Sequence, residues 1–263
     1  MRFVRSVFIY ALVIMSLLGF TSSQAEVVHI AVAANFTHTM KELITTFEKQ
    51  SPHQVKASYA SSGKIYAQIT HGAPFDIFFS ADQLKPSLLF DDGLTHSKPF
   101  TYALGSLALW SNNNRFKGMD LKHKLQKGEF NKLAIANPKL APYGAAAIDV
   151  LNHLNLVEAT QKKWVKGENI AQTYQYVATG NADLGFIALS QVIHQTAISS
   201  KDYWSIPANL YQPIQQDAVL LTDNNAARDF IKFLSLPKSQ EIIQSYGYQT
   251  RNKIDSKDSN KKI

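Results

Sequence analysis

The sequence predicts an α/β fold in two lobes, and three observations carry that prediction. Runs rich in β-branched and aromatic residues alternate along the chain with segments whose apolar residues recur at helical spacing. This alternation is typical of largely parallel sheets with helices on both faces. Apolar residues make up 45% of the 263 residues, enough to bury a large core. Two strand-like segments, 101–111 and 214–222, lie between blocks of strand–helix units and are suited to cross between lobes.

The first block begins with a clear strand and a clear helix. VVHIAVA (27–33) is a β-branched apolar run, and after it Met40, Leu43 and Phe47 fall on one helical face. The later elements of this block are predicted as a strand at 55–60, a helix at 61–72, a strand at 76–81 and a short helix at 83–90. The helix at 61–72 ends at a glycine, a common helix terminus.

The second block starts at the long strand candidate 101–111, in which Gly105 permits a bend. Its other elements are predicted as a strand at 132–138, helices at 143–154 and 171–180, a strand at 183–189 and a short helix at 190–196. The chain then returns through a strand at 217–222 to a helical region, 225–246, in which Pro237 suits the first turn of a second helix. We therefore expect residues 26–105 and 214–250 to form lobe 1, and residues 106–213 to form lobe 2.

The first 25 residues have the pattern of a secretory signal peptide. Two arginines precede an uncharged, mostly apolar run at 7–20, and small residues stand before a cleavage point at Glu26. A membrane-spanning anchor is the alternative, but a spanning helix needs about 20 apolar residues and this run is shorter. The pattern therefore predicts a cleaved signal peptide at 1–25 and a periplasmic mature protein.

The charge distribution argues against nucleic-acid binding. The formal net charge is +7, of which two charges lie in the signal segment and three in the predicted flexible tail, 251–263. The remaining residues, 26–250, carry a net charge of only +2. A nucleic-acid-binding body would show a basic stripe, and none is visible.

The residue types that enzymes and metal sites require do not come together in this sequence. The chain has no cysteine, which excludes a lipid-modified cysteine, a disulfide scaffold and a thiolate metal site. The eight histidines are scattered, and neither a metal-binding histidine spacing nor a nucleophile elbow occurs. Asp76 and Asp82 flank a predicted strand, where capping and solvated loop ends are their expected roles. We predict no enzyme, no cofactor and no metal.

Four strand-to-helix junctions are the candidate site. They are Ala33-Ala34-Asn35, Ala60-Ser61-Ser62-Gly63, Pro142-Tyr143-Gly144 and Glu168-Asn169-Ile170. The first backbone N–H groups of a helix lack intrahelical partners, and the helix dipole adds a partial positive charge there. Such ends bind anions, and in open α/β sheets they gather at one edge. Each junction alone is explained by helix capping. Together they favour an anion site built from neutral donors.

These junctions carry a family resemblance. The mature chain resembles the periplasmic molybdate-binding proteins of ABC importers, from HIAVAANFTHTMKELITTFEK through YASSGKIYAQITHGAPFDIFFSADQ, NPKLAPYGAAAIDVL and GNADLGFIALSQV to SQEIIQSYGY. The pairing of the ASS segment with GAPFDIFFSAD is its most specific part. The resemblance implies a type II periplasmic binding protein: two α/β lobes with mixed, mostly parallel sheets, two crossover strands and the ligand in the cleft.

The resemblance also implies the ligand contacts. These are Asn35, Ser62, Tyr143 and Ile170, the last through its backbone N–H, with Ala34 and Ser61 as additional lining residues. One position departs from part of the family. Where some members carry a ligand-binding tyrosine in a later strand, this chain has Ala188, and Tyr143 is expected to supply the hydroxyl instead.

The predicted function is reversible capture of molybdate or tungstate, as a monomer, and delivery to a membrane permease. Two alternatives stay open at this stage. One is a binding protein for sulfate, phosphate or an organic anion. The other is a secreted hydrolase, which would need a base beside Ser61 or Ser62 that the sequence does not offer at recognisable spacing.

Overall fold

Two five-stranded mixed sheets form the framework of the molecule. The computed structural model describes residues 25–195, 198–199 and 202–250. The strands are β1 (Val27–Ala33), β2 (Gln54–Ala60), β3 (Ile77–Phe79), β4 (Phe100–Gly105), β5 (Leu107–Trp110), β6 (Leu133–Ala136), β7 (Trp164–Gly167), β8 (Leu184–Ala188), β9 (Tyr203–Ser205) and β10 (Ile214–Leu220). The first sheet has the order β2-β1-β3-β10-β4 and the second β7-β6-β8-β5-β9. We call the first sheet with its helices lobe 1, and the second sheet with its helices lobe 2.

Nine α-helices flank the two sheets in the part of the chain that the structure describes. They are α1 (Thr37–Glu48), α2 (Ser62–Thr70), α3 (Leu84–Asp91), α4 (Leu121–Lys127), α5 (Pro142–His153), α6 (Val157–Thr160), α7 (Ile170–Ala178), α8 (Asn225–Leu234) and α9 (Pro237–Ser245). Short 3-10 turns occur at Ala34–Phe36, Asn114–Phe116, Gln161–Lys163, Leu189–Gln191 and Ala208–Leu210. Helices cover both faces of each sheet, so the predicted α/β two-lobed class is confirmed.

The two sheets share one plan. In lobe 1, β2, β1 and β3 run parallel, and β10 runs antiparallel to both β3 and β4. In lobe 2, β7, β6 and β8 run parallel, and β5 runs antiparallel to both β8 and β9. The antiparallel members are the strands next to the interlobe crossings. The parallel members are those whose carboxyl ends lead into helices, which collects four helix starts at the sheet edges that face each other.

The chain crosses between the sheets at two places. Ser106 alone separates β4 in lobe 1 from β5 in lobe 2, so the predicted strand 101–111 is divided between two sheets. The second crossing lies between β9 and β10. The two crossings are joined by a hydrogen bond from the Leu107 backbone N–H to the Tyr211 hydroxyl, at 3.2 Å.

Most predicted elements occur within a few residues of their expected positions. The helix predicted at 143–154 is α5, with Pro142 at its first turn, and Pro237 opens α9. The short helix expected at 190–196 is only the 3-10 turn Leu189–Gln191 in the described residues. Four short elements were not predicted: β7, β9, α4 and α6. Asp120 caps α4 through a hydrogen bond from the His123 N–H, a local signal that sequence reasoning overlooked.

The ends of the chain lie outside the described residues. The predicted signal peptide, 1–25, is outside them apart from its last residue, and so is the predicted tail, 251–263. Within the described ranges, no helix combines the length and the apolar character that a membrane crossing requires.

Candidate anion-binding site

A small buried cavity lies between the two lobes at the carboxyl ends of the parallel strands. The lining residues are Ala33, Ala34, Asn35, Ser61, Ser62, Ala81, Ala141, Pro142, Tyr143, Asn169 and Ile170. All six residues predicted for the site therefore lie at one cavity, where the four junction segments meet. Asn35, Ser62 and Tyr143 are all at most 3% exposed.

Helix starts surround this cavity because of the sheet order. Lobe 1 contributes the 3-10 turn after β1 and the start of α2 after β2, and these two strands are neighbours. Lobe 2 contributes the starts of α5 and α7, which follow the neighbouring strands β6 and β7. The positive ends of helix dipoles from both lobes thus point into the same space, which favours a bound anion without a cationic side chain.

Three backbone N–H groups at these starts have no protein acceptor. They belong to Ser62, Tyr143 and Ile170, and among the described residues no hydrogen bond satisfies any of them. Their neighbours are paired: the Asn169 side chain accepts from the next two N–H groups of α7, and Gly144 donates to the Ala141 carbonyl. Buried N–H groups are almost always paired, so three of them on one cavity indicate a ligand that accepts hydrogen bonds.

The Ser62 hydroxyl has a hydrogen available to donate. Ser62 Oγ accepts a hydrogen bond from the Ala81 backbone N–H at 2.9 Å. With that lone pair occupied, its own hydrogen remains to donate into the cavity. Ser61 differs, since its Oγ caps α2 by accepting from the Lys64 N–H at 3.4 Å. Of the two adjacent serines, Ser62 is therefore the candidate side-chain donor and Ser61 the helix cap.

The Asn35 side chain is already occupied within the protein. Its Nδ2 donates to Gln216 Oε1 at 2.9 Å and to the Tyr248 hydroxyl at 3.0 Å. Both amide hydrogens are thereby used. The prediction that Asn35 contacts an anion stays a prediction, and the group left to do so is its backbone N–H, which belongs to the first turn after β1.

The Tyr143 side chain spans the space between the lobes. Gln216 Nε2, on lobe 1, donates to the Tyr143 hydroxyl at 3.3 Å, and the Tyr248 hydroxyl lies beside it. Gly105 makes this arrangement possible, because a Cβ at that position would overlap both the Tyr143 hydroxyl and the Gln216 amide. Burial raises the pKa of Tyr143 well above its ordinary value, with nearby Tyr248 adding to the effect. The hydroxyl is therefore a neutral donor at physiological pH.

Folding stability is expected to decline above pH 10. Burial raises the pKa of Tyr248 to about 12, and it also raises the pKa of Tyr102 and Tyr143. An unfolded chain ionises its tyrosines near pH 10, so between about pH 10 and 12 it binds fewer protons than the native state. The free energy of unfolding should then fall as the pH rises through this window. Urea unfolding at pH 8.0, 10.0 and 11.5 measures the change, and a Tyr248→Phe variant should show a shallower decline.

The lobes are in contact over the cavity. The Gly63 backbone N–H, at the start of α2, donates to the Leu140 carbonyl of lobe 2 at 2.9 Å. A Cβ at position 63 would lie only 3.1 Å from the Leu140 Cα and carbonyl oxygen, so glycine permits this approach. At the exposed rim, Lys64 Nζ and a Glu168 carboxylate oxygen form an ion pair at 3.0 Å. Exposed pairs of this kind contribute little energy, and the backbone contact defines the closed geometry better.

The end of β8 lies behind the site rather than in it. Ala188 is buried and does not line the cavity. Its backbone N–H donates to Gln191 Oε1 at 2.9 Å, and Gln191 Nε2 donates to the Ile170 carbonyl at 3.1 Å. Gln191 therefore ties the end of β8 to the start of α7 and holds the residue whose N–H faces the cavity.

Sequence reasoning missed the residues that support the site from below. Gln191, Gln216 and Tyr248 are buried side chains that bond to predicted site residues or their backbone. A signal existed for Gln216 alone. In the strand IQQDAVL it alternates with Ile214 and Ala218, which places a polar amide on the buried face. A buried polar side chain must find hydrogen-bond partners, so such a position indicates a polar contact inside the protein.

The lining can bind an anion but offers no chemistry for breaking bonds. In the described part of the chain, no His, Asp, Glu, Lys or Arg side chain lines the cavity. A serine nucleophile needs a base within hydrogen-bond reach, and neither Ser61 nor Ser62 has one there. The described residues also include no group of three or more His, Asp or Glu side chains placed to hold a metal ion.

Two closed α/β lobes around a cavity of neutral donors define a solute-binding protein. In agreement with this, the chain belongs to the family of bacterial extracellular solute-binding proteins, whose model matches residues 28–249. The predicted family is confirmed, and so is the prediction of a binding protein rather than an enzyme.

The chain is similar to proteins with a stated ligand. It is 48% identical to the molybdate-binding protein ModA of Azotobacter vinelandii over 86% of this chain and 91% of that protein. It is 43% identical to the ModA of Rhodobacter capsulatus over 91% of this chain and 94% of the relative. Among solved structures, the periplasmic molybdate-binding protein of Azotobacter vinelandii superposes with a TM-score of 0.79 at 38% identity, covering 84% of this chain and 98% of that one.

Proposed function

We propose that this protein captures molybdate reversibly in the cavity between its lobes. The observation that carries the proposal is the convergence of three unpaired backbone N–H groups, those of Ser62, Tyr143 and Ile170, with the Ser62 hydroxyl on a buried space without charged side chains. A tetrahedral dianion accepts several hydrogen bonds at once. The similarity to molybdate-binding proteins at 48% and 43% identity supports this choice of anion.

Neutral donors can supply the necessary affinity. Hydrogen bonds to charged acceptors contribute about 1.5–3 kcal/mol each. Five to seven such bonds, less the costs of ordering and desolvation, would support micromolar or tighter binding, which needs about −8 kcal/mol. The helix starts add favourable electrostatic potential in a site from which water is excluded.

A closed cavity of set size also selects its ligand. Sulfate is smaller than molybdate and would leave some donors unpaired, which is costly in a buried site. Tungstate has nearly the same shape and charge as molybdate, so we propose that it binds as well. No geometric feature of the described site favours one of these two over the other.

The wider setting of the protein follows the same proposal. Residues 26–105 with 214–250 and residues 106–213 would move as two lobes that close on the anion. The N-terminal signal would direct export to the periplasm and would then be cleaved. The mature protein would act as a monomer and present its closed form to the permease of an ABC importer. It would need no cofactor and no nucleic acid.

Competitive calorimetry tests the proposed ligand. Mature protein is titrated with molybdate, tungstate, sulfate and phosphate at one pH and ionic strength. Saturable heat with molybdate and tungstate, and at least 100-fold weaker binding of sulfate, is the expected result. Tight binding of sulfate or phosphate with no molybdate heat would contradict the proposal and support a different anion.

The Tyr143→Phe variant is expected to lose about 1–3 kcal/mol of molybdate affinity. Phenylalanine keeps the buried ring but removes the hydroxyl that meets Gln216 across the lobes and can donate to the anion. Calorimetry gives the change in Kd. An unchanged Kd would show that Tyr143 serves only to fill space.

A further inference from the structure

Directly beneath the cavity, three buried side chains from both lobes converge on Asn35 and Tyr143. Ser190 Oγ, from the 3-10 turn after β8 in lobe 2, donates to the Asn35 carbonyl oxygen of lobe 1 at 3.0 Å. The Tyr248 hydroxyl lies 2.9 Å from that same carbonyl oxygen and 2.9 Å from Ser190 Oγ. Gln216 joins the group from β10. We call Ser190, Gln216 and Tyr248 the underlying cluster.

Gln216 links a site residue of each lobe through one amide. Its Oε1 accepts from Asn35 Nδ2 at 2.9 Å and from the Tyr102 hydroxyl at 3.0 Å. Its Nε2 donates to the Tyr143 hydroxyl at 3.3 Å. Gln216 is completely buried, and Ser190 and Tyr248 are at most 6% exposed. Each member of the underlying cluster is therefore buried, and each makes at least one hydrogen bond to a residue of the other lobe.

We propose that Ser190, Gln216 and Tyr248 are positioning residues for anion capture, which tie the lobes together beneath the cavity so that closure and the placement of the anion donors occur as one event. None of the three lines the cavity. The ligand part of this proposal rests on the proposed function, but the tie between the lobes does not.

The physical reason is that three of the hydrogen bonds exist only when the lobes meet, namely those from Ser190 to Asn35, from Tyr248 to Ser190 and from Gln216 to Tyr143. Ser190 and Tyr143 belong to lobe 2, whereas Asn35 and Gln216 belong to lobe 1. Opening the cleft breaks the bonds between them and hydrates the freed groups. Because an intramolecular bond in a dry site is modestly better than one to water, the cluster favours the closed form even without a ligand. An anion that also favours closure then binds more tightly, since the competent form is already populated.

The cluster also fixes the orientation of one anion donor. The hydroxyls of Ser190 and Tyr248 hold the Asn35 carbonyl, and the Asn35 side chain is held by Gln216 and Tyr248. With both ends of the residue restrained, the first turn after β1 has one arrangement in the closed form. Its N–H groups then need no reorganisation when the anion arrives.

The Ser190→Ala variant removes two of the three hydrogen bonds between the lobes and little else. The Tyr248 hydroxyl remains 2.9 Å from the Asn35 carbonyl and can satisfy it. The matched control is Ser239→Ala, because Ser239 is also buried and its Oγ donates at 2.6 Å to the Phe233 carbonyl inside lobe 1. Both substitutions remove one buried serine hydroxyl, but only Ser190 joins the two lobes.

The measurement is the ratio of closed to open molecules. The chain has no cysteine, so cysteines introduced at exposed Gln68 of lobe 1 and Gln175 of lobe 2 accept spin labels without interference. Distance distributions between the labels are recorded over a titration that begins at zero molybdate. We expect Ser190→Ala to lower the closed-to-open ratio about threefold to tenfold at each molybdate concentration below saturation. Ser239→Ala should leave this ratio unchanged and lower only the unfolding temperature.

The outcomes separate the two proposals. A closed-to-open ratio in Ser190→Ala equal to that of the unsubstituted chain would overturn the positioning role, and so would an equal fall in Ser239→Ala. If molybdate causes no closure of the unsubstituted chain, the proposed ligand fails. The comparison at zero molybdate then still decides whether the cluster ties the lobes. A Ser190→Ala, Tyr248→Phe double variant, which leaves the Asn35 carbonyl without a hydroxyl donor, should show a larger fall than either single change.

Discussion

Replacement of Ser62 by alanine is expected to weaken molybdate binding by about 1.5–3 kcal/mol, the value of a hydrogen bond to a charged acceptor. The Ser62 hydroxyl is the side-chain donor that the geometry of lobe 1 presents most directly, because the Ala81 N–H donates to its oxygen at 2.9 Å and its own hydrogen has no protein acceptor among the described residues. The substitution also leaves that buried N–H without an acceptor, which adds a cost of about 1–3 kcal/mol to the folded protein. Calorimetry with molybdate and thermal unfolding without ligand measure the two effects separately.

The neighbouring Ser61 provides the control. It lies in the same cavity lining, but its Oγ caps α2 by accepting from the Lys64 N–H. Ser61→Ala should therefore cost about 1 kcal/mol of stability, as loss of an N-cap does, with little change in Kd. If both alanine variants lose the same affinity, the side chain of Ser62 is not a specific donor and the backbone N–H groups carry the site.

Introduction of a methyl group at Gly105 is expected to reduce affinity by about 1–3 kcal/mol, the usual cost of overpacking a buried position. A Cβ there would overlap the hydroxyl of Tyr143, which reaches Gly105 from lobe 2. It would also overlap the Gln216 amide nitrogen. Gly105→Ala should thus raise the Kd for molybdate strongly and shift the unfolding temperature of the ligand-free protein less.

A strand glycine within one lobe is the matched control. Gly185 lies on β8, and a Cβ there would overlap Val177 Cγ2 of the same lobe. Gly185→Ala should lower the unfolding temperature and leave the Kd for molybdate close to its original value. Were Gly105→Ala to bind molybdate normally, the Tyr143 hydroxyl could not hold the position that the structure gives it during capture.

Local chemistry made the helix starts predictable. A strand run followed by small or hydroxyl residues and then by helical spacing indicates a strand–helix junction wherever it occurs, because capping and periodicity act within one turn. The junctions at Asn35, Ser62, Tyr143 and Ile170 were recognised on that basis. Parallel strands present their carboxyl ends at one edge of the sheet, and this rule predicts that these residues meet.

Short strands could not be recognised in the same way. β7, Trp164–Gly167, is only four residues long. Two of its residues are half-buried, and a third, Lys166, is exposed. It is a strand because β6 pairs with it, and this pairing joins residues about 30 positions apart in the chain. The segment 101–111 shows the opposite problem. It has continuous strand character, yet Ser106 separates it into strands of two different sheets, a division that depends on which partners each half finds.

The sequence by itself determined the α/β class, the strand-to-helix junctions and the neutral donors that these junctions carry, since all three follow from local residue patterns. Only the tertiary structure decided what each polar side chain does. It assigned the amide of Asn35 to Gln216 and Tyr248, the Ser62 hydroxyl to the cavity and the Tyr143 hydroxyl to the interlobe contact. The physical reason is that a hydrogen bond depends on direction and on a partner within about 3 Å. Those partners lie up to 213 residues away in the chain, where no local pattern can place them.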